Sequence, residues 1–75
     1  MAKLPVVSGK ELVRALARFG YDVDHQTGSH VILRQTSSPY RRLTVPRHKE
    51  IAKGTLRSVL RNAGLTAEQL REALR

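Results

Sequence analysis

Apolar residues at three- and four-residue spacing mark a first helix near the amino terminus. They are Leu12, Ala15, Leu16 and Phe19. The segment Ser8-Gly9-Lys10-Glu11 precedes them and has the pattern of a capping box. In this motif the serine hydroxyl accepts a hydrogen bond from the amide three residues on, and the glutamate carboxylate accepts one from the serine amide. We therefore predict a helix over residues 9–19, followed by Gly20, which tolerates positive φ.

The middle of the chain changes to the two-residue alternation that is typical of half-buried strands. We predict a first strand over residues 21–26 and a tight turn at Thr27-Gly28. A second strand begins at residue 29 or 30 and runs to residue 35. After a polar connection, a short third strand covers residues 42–45 and ends before Pro46, which has no amide proton to donate. The three strands are expected to be antiparallel.

Helical spacing returns beyond Gly54 and ends at Gly64. Thr66-Ala67-Glu68-Gln69 is a second capping box and opens a short last helix. The predicted order is helix, three strands, helix and short helix, which is an α+β fold. The helices must cover one face of the sheet to bury their apolar stripes, so the other face is left open.

Alternation assigns the strand residues to these two faces. The residues expected to point inward are Val23, Val31, Leu33, Leu43 and Val45. Those expected on the open face are His30, Ile32, Arg34, Arg42 and Thr44. Ile32 fits an open face poorly, and a slip of one residue would reverse every assignment.

The size and charge of the chain narrow the functional classes. Seventy-five residues predict one domain, residues 1–75, and the absence of cysteine excludes a disulfide or a thiolate metal site. Fourteen Lys and Arg, ten of them Arg, against six Asp and Glu give a net charge of +8. This excess predicts a polyanionic partner, and nucleic acid is the first to consider. We expect a cytoplasmic protein, because no apolar run approaches the ~20 residues of a membrane span and no signal core is present.

His30 is the first candidate for chemistry, because it follows Gly28-Ser29 where a strand meets solvent. An imidazole exchanges protons near neutral pH and can remove the proton of an RNA 2′-hydroxyl, which then attacks the adjacent phosphorus. A cation would stabilise the charged intermediate, and Arg34, Arg42 and Lys53 are residues of the right type. The alternative is a turn histidine that only ends a strand.

The two other histidines carry weaker signals. His25 could approach His30 across the hairpin and share acid and base work with it, or it could be a solvated strand residue. His48 lies in a basic connection, where it orients the loop or contacts phosphate. The histidine spacing does not match a zinc protease, so we expect no metal and no cofactor. Ser29 and His30 are neighbours on a strand and point to opposite faces, which argues against a serine hydrolase.

Basic residues run from the third strand into the second helix. Lys53, Arg57 and Arg61 recur every four positions and share one side of that helix. Phosphate contact is favoured over a solvated face, since the segment 57–61 contains no acid, and Gly54 lies where helix amides could bind an anion. The residues assigned to RNA binding are Gly28, Ser29, Arg34, Arg41, Arg42, Arg47, Lys49, Lys53 and Arg57.

Four segments in this order resemble the HicA toxins of bacterial type II toxin–antitoxin systems. They are Ser8-Gly9-Lys10-Glu11, Gly28-Ser29-His30, Val45-Pro46-Arg47-His48 and Gly54-Thr55-Leu56-Arg57. The resemblance covers about residues 8–70. It implies a double-stranded-RNA-binding-like fold, cleavage of mRNA, His30 as the catalytic residue, and a HicB-type antitoxin that masks the active surface. The Gly28-Ser29-His30 turn and the excess of arginine lead us to predict that this cleavage is metal-independent. The last helix could instead contact this partner.

Two alternatives of other classes stay open. A non-catalytic RNA-binding module needs the basic surface but not the histidine. A DNA-binding helix-turn-helix would use residues 55–74, but the last helix has nearly balanced charges rather than the positive charge of a recognition helix.

Overall fold

The computed structural model describes residues 3–75 and has the predicted order of elements. Met1 and Ala2, which the predicted domain 1–75 includes, lie outside the described residues. The elements are α1 (Gly9–Ala17), β1 (Tyr21–Gln26), β2 (His30–Gln35), β3 (Arg42–Pro46), α2 (Lys53–Ala63) and α3 (Ala67–Ala73). The α+β prediction is therefore confirmed, with boundaries that differ by one or two residues at most.

Both predicted capping boxes are formed. The Ser8 hydroxyl accepts from the Glu11 amide at 3.0 Å, and the Glu11 carboxylate accepts from the Ser8 amide at 2.9 Å. Thr66 and Gln69 exchange the same pair of hydrogen bonds at the start of α3. Gly64 ends α2 in the left-handed conformation at φ 72°, as its position after the last apolar residue predicts.

The sheet has the order β1-β2-β3, and both pairs of strands are antiparallel. Val31 pairs with Val45 and Leu33 with Leu43, and all four side chains are buried. The alternation predicted for β2 and β3 is confirmed, because the outward residues His30, Arg34, Arg42 and Thr44 are exposed. Ile32 is half-buried between them. One face of the sheet is thus open.

The burial predicted for Val23 is wrong. Val23 lies opposite the buried Leu33 and so faces the helical side of the sheet, but it is 46% exposed. The reason is that β1 is an edge strand, and a cleft separates Val23 from Val13 of α1. Alternation identifies the face of a residue but not whether a helix reaches over it.

A β-bulge interrupts the pairing of β1 between Val23 and His25. Beyond it, His25 lies opposite Ile32 and Gln26 lies opposite Val31. Asp24 is the extra residue of the bulge. Since directly opposed residues share a face, the bulge moves His25 to the open face, with Asp24 beside it.

The core lies between the helices and the covered face of the sheet. Leu12 and Leu16 of α1 and Leu56 of α2 are almost fully buried there. The short α3 packs on α1, where Leu70 is buried and the Ala73 carbonyl accepts a hydrogen bond from Arg18 at 3.3 Å. This packing does not resemble a free recognition helix, so the helix-turn-helix alternative gains no support.

Three backbone hydrogen bonds connect the loop after β3 to neighbouring segments at the same end of the molecule. The Arg47 amide donates to the Ser29 carbonyl at 2.9 Å, and the Gly9 amide donates to the His48 carbonyl at 2.9 Å. The Ile51 amide donates to the Val7 carbonyl at 2.8 Å. The loop is therefore fixed both to the β1–β2 turn and to the start of α1.

Replacing Gly9 by alanine should destabilise this end of the fold. A Cβ on Gly9 would overlap the carbonyl oxygen of Pro46, which belongs to backbone and cannot move aside cheaply. Overpacking of this kind costs about 1–3 kcal/mol in the free energy of unfolding. Chemical denaturation monitored by circular dichroism would measure it. Gly54→Ala is the matched control, because a Cβ there has no neighbour within 4 Å, and its stability should not fall below that of the wild type.

Candidate nucleic-acid site

His30 is the first residue of β2 and is exposed on the open face. The turn before it is closed by two hydrogen bonds, from the Thr27 amide to the His30 carbonyl at 2.9 Å and from the His30 amide to the Thr27 hydroxyl at 3.0 Å. The expectation that Ser29 and His30 point to opposite faces of a strand is wrong, because Ser29 lies in the turn before β2 and its hydroxyl oxygen is 2.9 Å from His30 Nδ1. This contact orients the ring and leaves Nε2 as the atom available to a substrate.

His25 lies on the same face, next to the hairpin end. Its Nδ1 atom is 2.8 Å from a carboxylate oxygen of Asp24, and its side chain is 55% exposed. The hydrogen bond from His25 is the main cause that lowers the pKa of Asp24, and the positive charges of Arg34 and Arg42 lower it further. Asp24 is therefore an ionised group near the arginines of the open face.

The structure divides the predicted basic residues between two ends of the sheet. Arg34 and Arg42 are paired on the open face, four residues along β2 from His30, which corresponds to about 13 Å. Arg41 is at the same far end, where its guanidinium lies near Gly64 at the end of α2. These three arginines are therefore too far from His30 to contact the same phosphate group of a bound nucleic acid.

The other predicted residues lie at the end that carries His30. Pro46 pairs with His30 and is followed directly by the loop with Arg47 and Lys49. That loop leads into α2, whose first two turns carry Lys53 and Arg57 on its exposed side. Gly28 and Ser29 form the adjacent β1–β2 turn. Four cations therefore lie in the loop and the helix that follow Pro46, the residue paired with His30.

A cleft of about 560 Å³ opens beside this loop, on the helical side of the hairpin. Its walls combine apolar side chains of α1 and the sheet with a basic rim. The rim includes Lys10, Arg47, His48 and Lys49, and the apolar wall includes Val13, Val23 and Val31. A phosphate-bearing chain that passes the hairpin end would meet both surfaces.

The amino-terminal end of α2 carries no side-chain cap, since residue 52, before its first turn, is alanine. Gly54 has open space around its α-carbon. Within residues 3–75, no group of three or more potential metal-ligating side chains is found. None of the helices in the same range has the length and apolar character of a membrane span.

A comparison of the sequence with known protein families indicates the biological role of the protein. A family model described as the HicA toxin of bacterial toxin–antitoxin systems matches residues 9–65. The chain belongs to this family. The protein is therefore a toxin that has an antitoxin as its partner. No curated protein matches the chain.

The matched range of the toxin includes the Gly28-Ser29-His30 turn, the loop after β3 and the whole of α2. It ends at Leu65, before α3. The elements that carry His30 and the basic residues near it therefore lie inside the family match, and α3 lies outside it.

Asp24 was missed as a site residue by the sequence reasoning. Strict alternation placed it as one polar residue among several in β1, and the bulge that sets it beside His25 leaves no mark in the pattern. One signal was available, because two of the six acids of this basic chain, Asp22 and Asp24, stand within four residues of His25.

The contact between Asp24 and His25 predicts a measurable titration. In His25→Ala the pKa of the Asp24 carboxyl should rise toward its ordinary value of 3.8, because the hydrogen bond that favours the ionised form is lost. Carbon-detected NMR titration of the Asp24 carboxyl would measure the midpoint. His48→Ala removes an imidazole from the loop after β3 and should leave the midpoint unchanged. Equal midpoints in wild type and His25→Ala would contradict the contact.

Proposed function

We propose that the toxin is a metal-independent endoribonuclease that cleaves mRNA, with His30 as its catalytic acid–base residue. The observation that carries the proposal is the position of this imidazole, exposed at the mouth of the hairpin and anchored through Nδ1 to Ser29.

His30 accepts the proton of a ribose 2′-hydroxyl through Nε2, and the 2′-oxygen attacks the adjacent phosphorus. The bond from phosphorus to the 5′-oxygen of the next nucleotide breaks, and that oxygen takes up a proton. The products are a 2′,3′-cyclic phosphate and a free 5′-hydroxyl, so atoms and charge balance without an oxidant or a metal. The charge that develops on the phosphoryl oxygens is stabilised by nearby cations.

Arg47 and Lys49 are the cations best suited to this last role, because their loop is joined to Ser29 by the Arg47 amide. Lys53 and Arg57 extend the basic surface along α2 and bind flanking phosphates. Arg34 and Arg42 contact phosphates farther along the strand, about 13 Å from His30. Arg41 lies near Gly64 rather than on the open face. It therefore contributes to the positive charge of the protein more than to direct contact with the RNA.

Gly28 keeps the tip of the hairpin free of side chain. A Cβ at this position would meet no atom within 4 Å, so the fold itself does not require glycine there. We assign the space to the RNA backbone, which approaches the turn closely enough to place a phosphate beside His30.

Replacement of His30 by alanine should abolish cleavage without loss of fold. Loss of a general base lowers rates by on the order of 10²- to 10⁴-fold. The measurement is cleavage of a labelled single-stranded RNA in EDTA, together with circular dichroism and RNA affinity, which should both stay close to wild type. Cleavage by His30→Ala at the wild-type rate would remove His30 from the mechanism. RNA binding by the wild type with no product would favour the non-catalytic module.

The antitoxin, which we take to be of the HicB type, should cover His30 and the start of α2. A surface of this charge attracts an acidic partner, since the protein carries a net charge of +8. Acylation of His30 by diethyl pyrocarbonate, followed by mass spectrometry, should be slower in the complex than in the free toxin, and RNA cleavage should stop. A complex in which His30 reacts as fast as in the free toxin and RNA is still cut would refute this arrangement.

A further inference from the structure

His25 and His30 are diagonal neighbours on the open face. His25 lies opposite Ile32, and His30 precedes Ile32 by two positions on the same strand. In an antiparallel pair such diagonal residues have Cα atoms about 7–8 Å apart, within reach of aromatic side chains. Two imidazoles therefore border one patch of surface at the hairpin end.

Both rings are held in the same way. The Nδ1 atom of His25 contacts Asp24 at 2.8 Å, and the Nδ1 atom of His30 contacts Ser29 at 2.9 Å. In each case the partner is the preceding residue, and Nε2 is the atom left for a substrate. Their partners differ in charge, because Asp24 carries a carboxylate and Ser29 a neutral hydroxyl.

The bulge in β1 produces this difference. Without the extra residue, alternation would put Asp24 and His25 on opposite faces of the strand. With it, the Asp24 carboxylate faces His25 and stands near Arg34 and Arg42, which help to keep it ionised. The other charged group on this part of β1 is Asp22, which lies opposite Arg34.

We propose that His25, positioned by Asp24, is the second catalytic residue of the toxin and acts as the general acid. Protonated His25 donates the Nε2 proton to the departing 5′-oxygen while neutral His30 takes the proton of the 2′-hydroxyl. One proton enters and one leaves the substrate, so the step balances. This inference rests on the proposed function, because it names the proton donor for the same RNA cleavage.

The decisive experiment removes the need for a proton donor. Two oligonucleotides are compared that differ only at the cleaved bond, where the bridging 5′-oxygen of one is replaced by sulfur in the other. A thiol has a pKa of about 8.5, far below that of an alcohol, so a thiolate leaves without protonation. A variant that lacks only the general acid is rescued by the sulfur substrate, whereas one that lacks the general base is not.

His25→Ala should therefore cut the oxygen substrate on the order of 10²-fold more slowly than wild type. It should cut the sulfur substrate at close to the wild-type rate, while His30→Ala stays slow on both. The alkaline limb of the pH profile of kcat/KM should also disappear in His25→Ala, because that limb arises when the general acid of the free enzyme loses its proton.

Asp24→Asn tests the positioning role of the carboxylate. Its loss should slow cleavage of the oxygen substrate by no more than the ~10²-fold expected for His25→Ala, and should leave the sulfur substrate unaffected. Asp22→Asn is the matched control, because it removes the same charge from the same strand without touching His25. Its rates should equal those of the wild type on both substrates.

The outcomes separate the two proposals. If wild type cuts neither substrate, the proposed function fails and the acid has no reaction to serve. If wild type cuts and His25→Ala is as fast on the oxygen substrate, the ribonuclease stands and the second catalytic residue is refuted. If His25→Ala is equally slow on both substrates, His25 acts in RNA binding or folding, and its role as proton donor is likewise refuted.

Discussion

The arrangement of this molecule depends on the burial of one face of β2 beneath the helices. Val31 and Leu33 are buried in the core that the helices form with the sheet, and this burial fixes the pairing of β2 with both neighbours. Because side chains alternate, that same burial forces His30, Ile32 and Arg34 onto the opposite face. The hydrophobic core thus determines which polar groups the open face presents, even though none of them belongs to the core.

Much of the fold could be predicted because its signals are local. A capping box or a terminal glycine acts within one helical turn, so Ser8, Thr66 and Gly64 marked helix boundaries from sequence alone. The faces of β2 followed from apolar alternation, and His30 stood out as a histidine after a Gly-Ser turn. Its place at the hairpin mouth agrees with that reading, while its chemistry stays a proposal.

The features that could not be predicted depend on residues distant in sequence. Val23 alternates like a core residue, and only the position of α1 leaves it beside a cleft. The bulge at Asp24 adds one residue to β1 relative to β2, and no residue type in the sequence marks such a position. The grouping of basic residues also escaped the sequence reasoning, since Arg42 and Arg47 are close in the chain but lie at opposite ends of β3.

The acids are the least expected feature of the open face, given the RNA cleavage that we propose for it. A carboxylate near a phosphate weakens binding by repulsion, so an exposed Asp24 lowers affinity unless its charge serves another group. The 2.8 Å contact with His25 supplies that group, because the carboxylate orients the imidazole that we propose as the proton donor. Asp22 has no such contact and lies opposite Arg34, whose charge offsets it. A surface selected only for affinity has no use for this asymmetry, whereas a surface that must deliver a proton does.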